Sequence, residues 1–185
     1  MRRMATSLTV VFLLACSGDD GAAPATSTSV TTPSSTTTTS STTTSTSVPA
    51  GKVVVQAFFL DEDAFNVGRP PYVRPVDRLV DANSPEQGAL DALFAGPTAD
   101  EGAGGLLFVA SEATGFTGFR ITDGTAFVQL VGGCSSRGST FTVADEITAT
   151  LRQFAGIEAV KIFDPDGGTE IPDEPGDSIP FCLEP

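Results

Sequence analysis

The 185-residue chain has no histidine, no tryptophan, a single tyrosine and three cysteines. Histidine is the usual general base near neutral pH and the commonest zinc and iron ligand. Its absence removes most Ser-His and Cys-His nucleophile pairs. Positive charge is also scarce: 10 Lys plus Arg stand against 23 Asp plus Glu, a formal net charge of -13. Such a chain has no electrostatic grip on phosphate, which excludes DNA and RNA as partners. Its one early apolar run is shorter than the roughly 20 residues a permanent membrane helix takes. The length leaves room for one ordinary domain.

What is present begins with an export signal. Arg2 and Arg3 precede an uncharged apolar run from Leu8 to Ala15, the profile of a signal peptide over residues 1–15. Leu13-Leu14-Ala15-Cys16, followed by polar Ser17-Gly18-Asp19-Asp20, resembles the lipobox of bacterial lipoproteins. The resemblance implies that the signal is cut before Cys16, that the Cys16 thiol carries a diacylglyceryl group, and that this lipid anchors the exported chain to the outer face of the cytoplasmic membrane.

From Thr26 to Val48, 20 of 23 residues are Ser or Thr, a composition with too little apolar surface to offset its ordering entropy. Residues 16–50 therefore read as a lipidated Cys followed by a disordered linker. As a flexible coil the linker spans roughly 30–35 Å end to end, and fully extended about 110 Å. Runs of Thr and Ser near Pro are also the composition of O-glycosylated stalks. Arg2 and Arg3 cancel Asp19 and Asp20, so the whole of the -13 belongs to residues 51–185.

The folded part starts at Gly51. Lys52 to Leu60 is rich in β-branched and aromatic residues and predicts a largely buried strand. Asp61 to Pro71 predicts a loop, and Tyr72 to Val80 a second strand that Pro75 places at an edge. Ser84-Pro85-Glu86-Gln87 predicts a helix start with a Ser84/Gln87 capping box, burying Leu90, Leu93 and Phe94 and stopping at Gly96-Pro97. Asp100 to Ala113 reads as a Gly-rich loop with one short extended piece. Asp123-Gly124 supplies the positive-φ pair of a two-residue turn, so Thr114 to Val131 predicts a hairpin with Ile121 opposite Ala126 and Phe119 opposite Val128. Phe119, Ile121, Ala126, Val128 and Leu130 then share one face, and Arg120, Phe127 and Gln129 the other. Thr142 to about Phe154 predicts a helix with Thr142 and Asp145 in capping-box spacing, ended by Gly156. Ile157 to Phe163 is a last strand before a turn at 164–168 and a Pro-rich tail. The order predicts an α+β domain over 51–185, with a single small mixed or antiparallel sheet and two helices packed on one face.

Arg74-Pro75-Val76, Ser84-Pro85 opening a helix that closes on Ala95-Gly96-Pro97-Thr98, the Asp123-Gly124 hairpin, and Thr150-Leu151-Arg152-Gln153-Phe154 followed by Val160-Lys161-Ile162 resemble the GerM-type sporulation and germination domain, GerMN. The resemblance covers roughly residues 52 to 170 and extends to small actinobacterial lipoproteins carrying this domain. It implies a non-enzymatic envelope module used in assembly at a membrane.

Once Cys16 is assigned to lipid, Cys134 and Cys182 remain in an oxidising compartment, and a disulfide is the economical reading. A closure of this span stabilises by roughly 4 kcal/mol. A redox-active thiol is the weaker alternative, because no CxxC spacing and no His lowers a thiol pKa. Gly176-Asp177-Ser178-Ile179 matches the start of a GDSL-type hydrolase but lies near the end of the chain without a His base. A Ser-Lys mechanism would need Lys52 or Lys161, both in predicted strands. Asp164, Asp166 and Glu170 around Gly167-Gly168 could bind calcium, yet a polar turn accounts for them more simply. Asp61-Glu62-Asp63 reads as a solvated strand end. No catalytic, metal-binding or cofactor-binding residue is assigned, and no cofactor is expected. The leading expectation is a lipid-anchored module contacting an envelope protein or itself. The alternative is a binding module for cell-wall glycan or a small ligand, and a hydrolase ranks last.

Overall fold

A computed structural model describes residues 48–185. The expected signal peptide, the lipidated Cys16 and all of the linker up to residue 47 lie outside the described residues.

Strand β1, Lys52–Asp61, alternates as a half-buried strand should, turning Val55, Ala57 and Phe59 inward. Strand β2, Val73–Asp81, pairs antiparallel with it, Lys52 opposite Asp81 through Leu60 opposite Val73. β2 is an edge strand, which accommodates the missing N–H of Pro75. A two-residue strand β3, Leu106–Leu107, joins the other side of β1 at its end and completes the order β2-β1-β3.

Two expected loops contain short helices. Helix α1, Glu62–Asn66, is capped by the Asp61 carboxylate, which accepts the Ala64 amide at 3.0 Å. Asp61-Glu62-Asp63 is therefore both the solvated end of β1 and the start of a helix. Helix α3, Ala99–Ala103, starts on a Thr98/Glu101 capping box. Five residues are too few to display a 3.6-residue apolar stripe, so the only signal is the cap. Helix α2, Pro85–Phe94, runs as expected, with Leu90 and Leu93 fully buried. Its Ser84/Gln87 box does not form: the Ser84 side chain makes no capping bond. The Ser84 amide donates instead to Asp81 O, and the chain arrives through a turn in which the Asp81 carboxylate accepts the backbone and side-chain amides of Asn83.

Strands β4, Ala113–Thr122, and β5, Thr125–Gly132, form the hairpin, with Asp123 and Gly124 at φ 49° and 74°. Ile121 faces Ala126, but Phe119 does not face Val128. The register shifts between Thr117 and Arg120, where Gly118 adopts φ 60°, and beyond it Thr117 faces Gln129 and Phe116 faces Leu130. The extra residue lets Phe116 and Phe119 both pack against the core. Ile121, expected on the inner face, stands 40% exposed near the hairpin tip.

Helix α4, Val143–Leu151, carries the Thr142/Asp145 capping box and ends three residues before Phe154. It crosses over to strand β6, Ala159–Phe163, which lies parallel to β5 in the order β4-β5-β6. The α+β class holds, but the expected single sheet is divided into two sheets of three strands. The cause is visible at the open edge of β1. There the amides of Gln56, Phe58 and Leu60 donate to the side chains of Gln153, Thr150 and Glu146, at 2.7, 3.1 and 2.9 Å. Alternate strand residues meet Glu146 and Thr150 on α4 and Gln153 just past its end, so this segment occupies the edge on which a fourth strand would have paired. The core lies between the sheets and helices: Ala57 and Phe59 from β1, Leu90 and Leu93 from α2, Val128 and Leu130 from β5, Ile147 and Leu151 from α4.

Candidate functional site

β6 and the chain beyond it gather most of the residues that the sequence offers for chemistry, and Lys161, Asp164, Asp177, Ser178 and Cys182 each have a structural partner. Ser178 is 3% exposed; its backbone donates to Val160 O and accepts from the Ile162 amide, and its hydroxyl lies 2.7 Å from the Thr169 hydroxyl and accepts from the Ile171 amide. Asp177 accepts the Val160 amide and takes both of its oxygens to Arg152. The Gly176–Ile179 run is thus a seam that stitches the tail to β6. Lys161 is 4% exposed, and its ammonium donates to the carbonyls of Ile171, Pro172 and Glu174 at 2.7–2.8 Å. All three protons of the ammonium are spent on carbonyls, so the structure does not pair Lys161 with Ser178 as a base would require. Lys52 sits at the exposed start of β1.

Asp164 closes the turn after β6 by accepting the amides of Asp166 and Gly168 at 2.9 and 2.7 Å. Cys134 and Cys182 are joined by a disulfide across 48 residues, with their Cα atoms 5.6 Å apart. The Ser136 amide donates to Cys182 O beside it, so the loop after β5 and the end of the chain form one unit.

Glu146 is a chemically unusual residue that the sequence reading passed over. It is fully buried in α4, and its two oxygens accept the Leu60 and Val109 amides at 2.9 and 3.0 Å. Burial pushes its pKa up to about 8; the two amides offset part of that and neighbouring Asp145 adds to it. Both oxygens are committed to backbone, and no cleft opens on them, so the role is to hold β1 and the 108–112 loop against α4. The one available signal was the spacing of Glu146, Thr150 and Gln153, which share one face of the helix expected from the sequence.

What remains for contact is surface. On the outer side of the first sheet Val54 faces Leu79, at 46% and 50% exposure, and Phe58 faces Pro75. Leu107 of β3 extends the same side at 42% exposure. Period-two alternation puts these residues opposite the buried set of Val55, Ala57 and Phe59, and on their own face the apolar pairs alternate with the polar pairs Lys52–Asp81 and Gln56–Asp77. Val54 and Leu79 thus form an exposed apolar pair framed by polar ones, the pattern of an apolar contact with a polar rim. Two charged pairs steady the layer from its inner side: Arg78 holds Glu101 through two hydrogen bonds of 2.8 and 2.6 Å, and Arg74 lies 3.6 Å from Asp61.

Residues 56–167 match the family model Germane, described as sporulation and spore germination. The chain belongs to the Germane family. The Gly-Pro-Thr that follows α2 in this Germane domain now has a structural reason: Gly96 at φ 79° ends one helix, and Thr98 caps the next. Among solved structures the domain is similar to the tandem GerMN domains of the sporulation protein GerM from Bacillus subtilis, at 20% identity and a TM-score of 0.46. The alignment covers 73% of this chain and 48% of that one, so the chain spans about half the length of the tandem. No curated protein matches the sequence.

Proposed function

We propose that this Germane domain works without catalysis, as a contact module at the cell envelope, docking another protein on the outer face of its first sheet. The observation that carries this reading is the apolar pair Val54 and Leu79 standing open to solvent on paired strands. Burying such side chains against a partner stabilises a complex by roughly 25 cal/mol per Å² of apolar surface removed from water. A second copy is a poor occupant, because residues 51–185 carry the full net charge of -13 and would repel themselves. A neutral or basic protein fits. Export and a lipid on Cys16 belong to the same proposal, supported by the Arg2-Arg3 pair, the apolar run and the lipobox-like Leu13–Cys16. No helix among the described residues is long and apolar enough to cross a membrane.

The test is a photo-crosslinking residue placed at Leu79 in the full chain and expressed in living cells. We expect an adduct at Leu79 that is lost with the same residue at exposed Asp91 on α2. An adduct of twice the chain's mass would mean self-association. Equal capture at both positions, or none at Leu79, would refute the docking face. Fatty-acid labelling that is unchanged in Cys16→Ala would refute the anchor.

A further inference from the structure

The second sheet carries a different kind of surface. On its outer face the Arg120 guanidinium lies over the Phe127 ring, 4.0 Å from its centroid, a close stacking distance. Phe163, from the neighbouring parallel strand, lies beside Phe127 with ring planes 19° apart and centroids 6.3 Å apart. Together with Gln129 and the two positive-φ glycines Gly118 and Gly167, they line a cleft of about 190 Å³. Among the described residues no carboxylate lies within salt-bridge distance of Arg120 or of Arg69, whereas Arg74, Arg78, Arg137 and Arg152 each have one.

Three properties of the cleft define a ligand. A guanidinium stacked on a ring has its flat face covered and its N–H edges left to bind, and those edges match the two oxygens of a carboxylate. One cation in a domain of net charge -13 suits a single negative charge and not a polyanion. The adjoining floor is apolar and flat at Phe163, while Gln129 spends its amide N–H on the Pro165 carbonyl and keeps its oxygen to accept a hydroxyl. The cleft is smaller than the roughly 300–1,000 Å³ of a pocket for a drug-sized ligand, so it takes one ring and not a chain. A peptide adding itself as a strand is disfavoured, because β4, the edge beside the cleft, is interrupted by the bulge at Gly118 and Phe119. We propose that Arg120, Phe127, Phe163 and Gln129 form a binding site for a sugar ring that bears one carboxylate.

Saturation-transfer NMR on the full chain tests this with N-acetylmuramic acid and N-acetylglucosamine, one ring with and without a lactyl carboxylate. The carboxylated sugar should show transfer, and the neutral sugar should bind at least about tenfold more weakly, the discrimination one charge-assisted pair supplies. Arg120→Ala should abolish the difference. Arg120→Lys, which keeps the charge but not the fork, should lose most of it with the fold intact by circular dichroism. Equal transfer from both sugars, no transfer from either, or an unchanged preference in Arg120→Ala would overturn the site. So would binding confined to a third probe, a short peptide with a free carboxyl end. None of these outcomes bears on docking at Leu79, which lies on the other sheet.

Discussion

The Glu146 carboxylate accepts the backbone amide of Leu60 at 2.9 Å, a hydrogen bond from a helix side chain to the open edge of a strand. With its folded pKa pushed up by burial to about 8, from an ordinary 4.5, the native state holds a proton that the unfolded chain has released. The contribution is full below about pH 4.5 and is lost as pH rises through 8, a change of up to about 5 kcal/mol. Urea unfolding at steps between pH 4.5 and 8.5 should show stability falling, and Glu146→Gln should flatten the slope. A flat wild-type profile would refute the assignment. Glu101 has the opposite sign: Arg78, then the Thr98 amide, hold its pKa down at about 2, so its contribution is present above pH 4.5 and lost as pH falls through 2.

Thr150 serves the same strand edge by accepting the Phe58 amide at 3.1 Å. Thr150→Val keeps the volume but leaves that amide without its acceptor, a loss of about 1–3 kcal/mol. Denaturant midpoints should fall accordingly, and hydrogen exchange at Phe58 should accelerate. Unchanged exchange would show that the bond does not protect the edge.

Gly88 sits inside α2, where alanine is ordinarily better for a helix by about 1 kcal/mol. Here a Cβ would stand 2.7 Å from Val80 Cβ on the facing strand. Gly88→Ala should therefore destabilise by about 1–3 kcal/mol, the usual cost of overpacking, read as a lowered melting temperature. A rise would mean that β2 moves away freely.

Cys182→Ser should lower stability by about 4 kcal/mol, the closure entropy of a loop across 48 residues. Thermal melting with and without reductant measures it. The wild type should respond to reductant and the variant should not. Limited proteolysis should then cut first in the tail that Cys182 secures.

The long elements were legible in the sequence because their signals are redundant. β1 has both composition and alternation, the hairpin has Asp123-Gly124, and α4 has a capping box and an apolar stripe together. The division into two sheets was not, since it depends on side chains of α4 reaching amides nearly a hundred residues away, and no local pattern encodes such a partner. The bulge at Gly118 was hidden for a related reason: one inserted residue reverses the parity of every position beyond it, and its only trace in the sequence is the three-residue step from Phe116 to Phe119. Arg120, Phe127 and Gln129 were placed on one face correctly, and that placement is all the sequence could say of the cleft. That Phe163 completes it follows from the parallel pairing of β5 with β6, which only the fold supplies.

The three carbonyls around the Lys161 ammonium, those of Ile171, Pro172 and Glu174, are as many oxygen acceptors as the ammonium has protons to give. The segment from Ile171 to Glu174 is in this sense a hydration shell made of peptide, carried by the chain to a charge that β6 has taken out of solvent. The stretch recognisable as family, residues 56–167, is consequently shorter than the stretch that folds. A chain cut to those bounds would lose the first four residues of β1 and every carbonyl that holds the Lys161 ammonium.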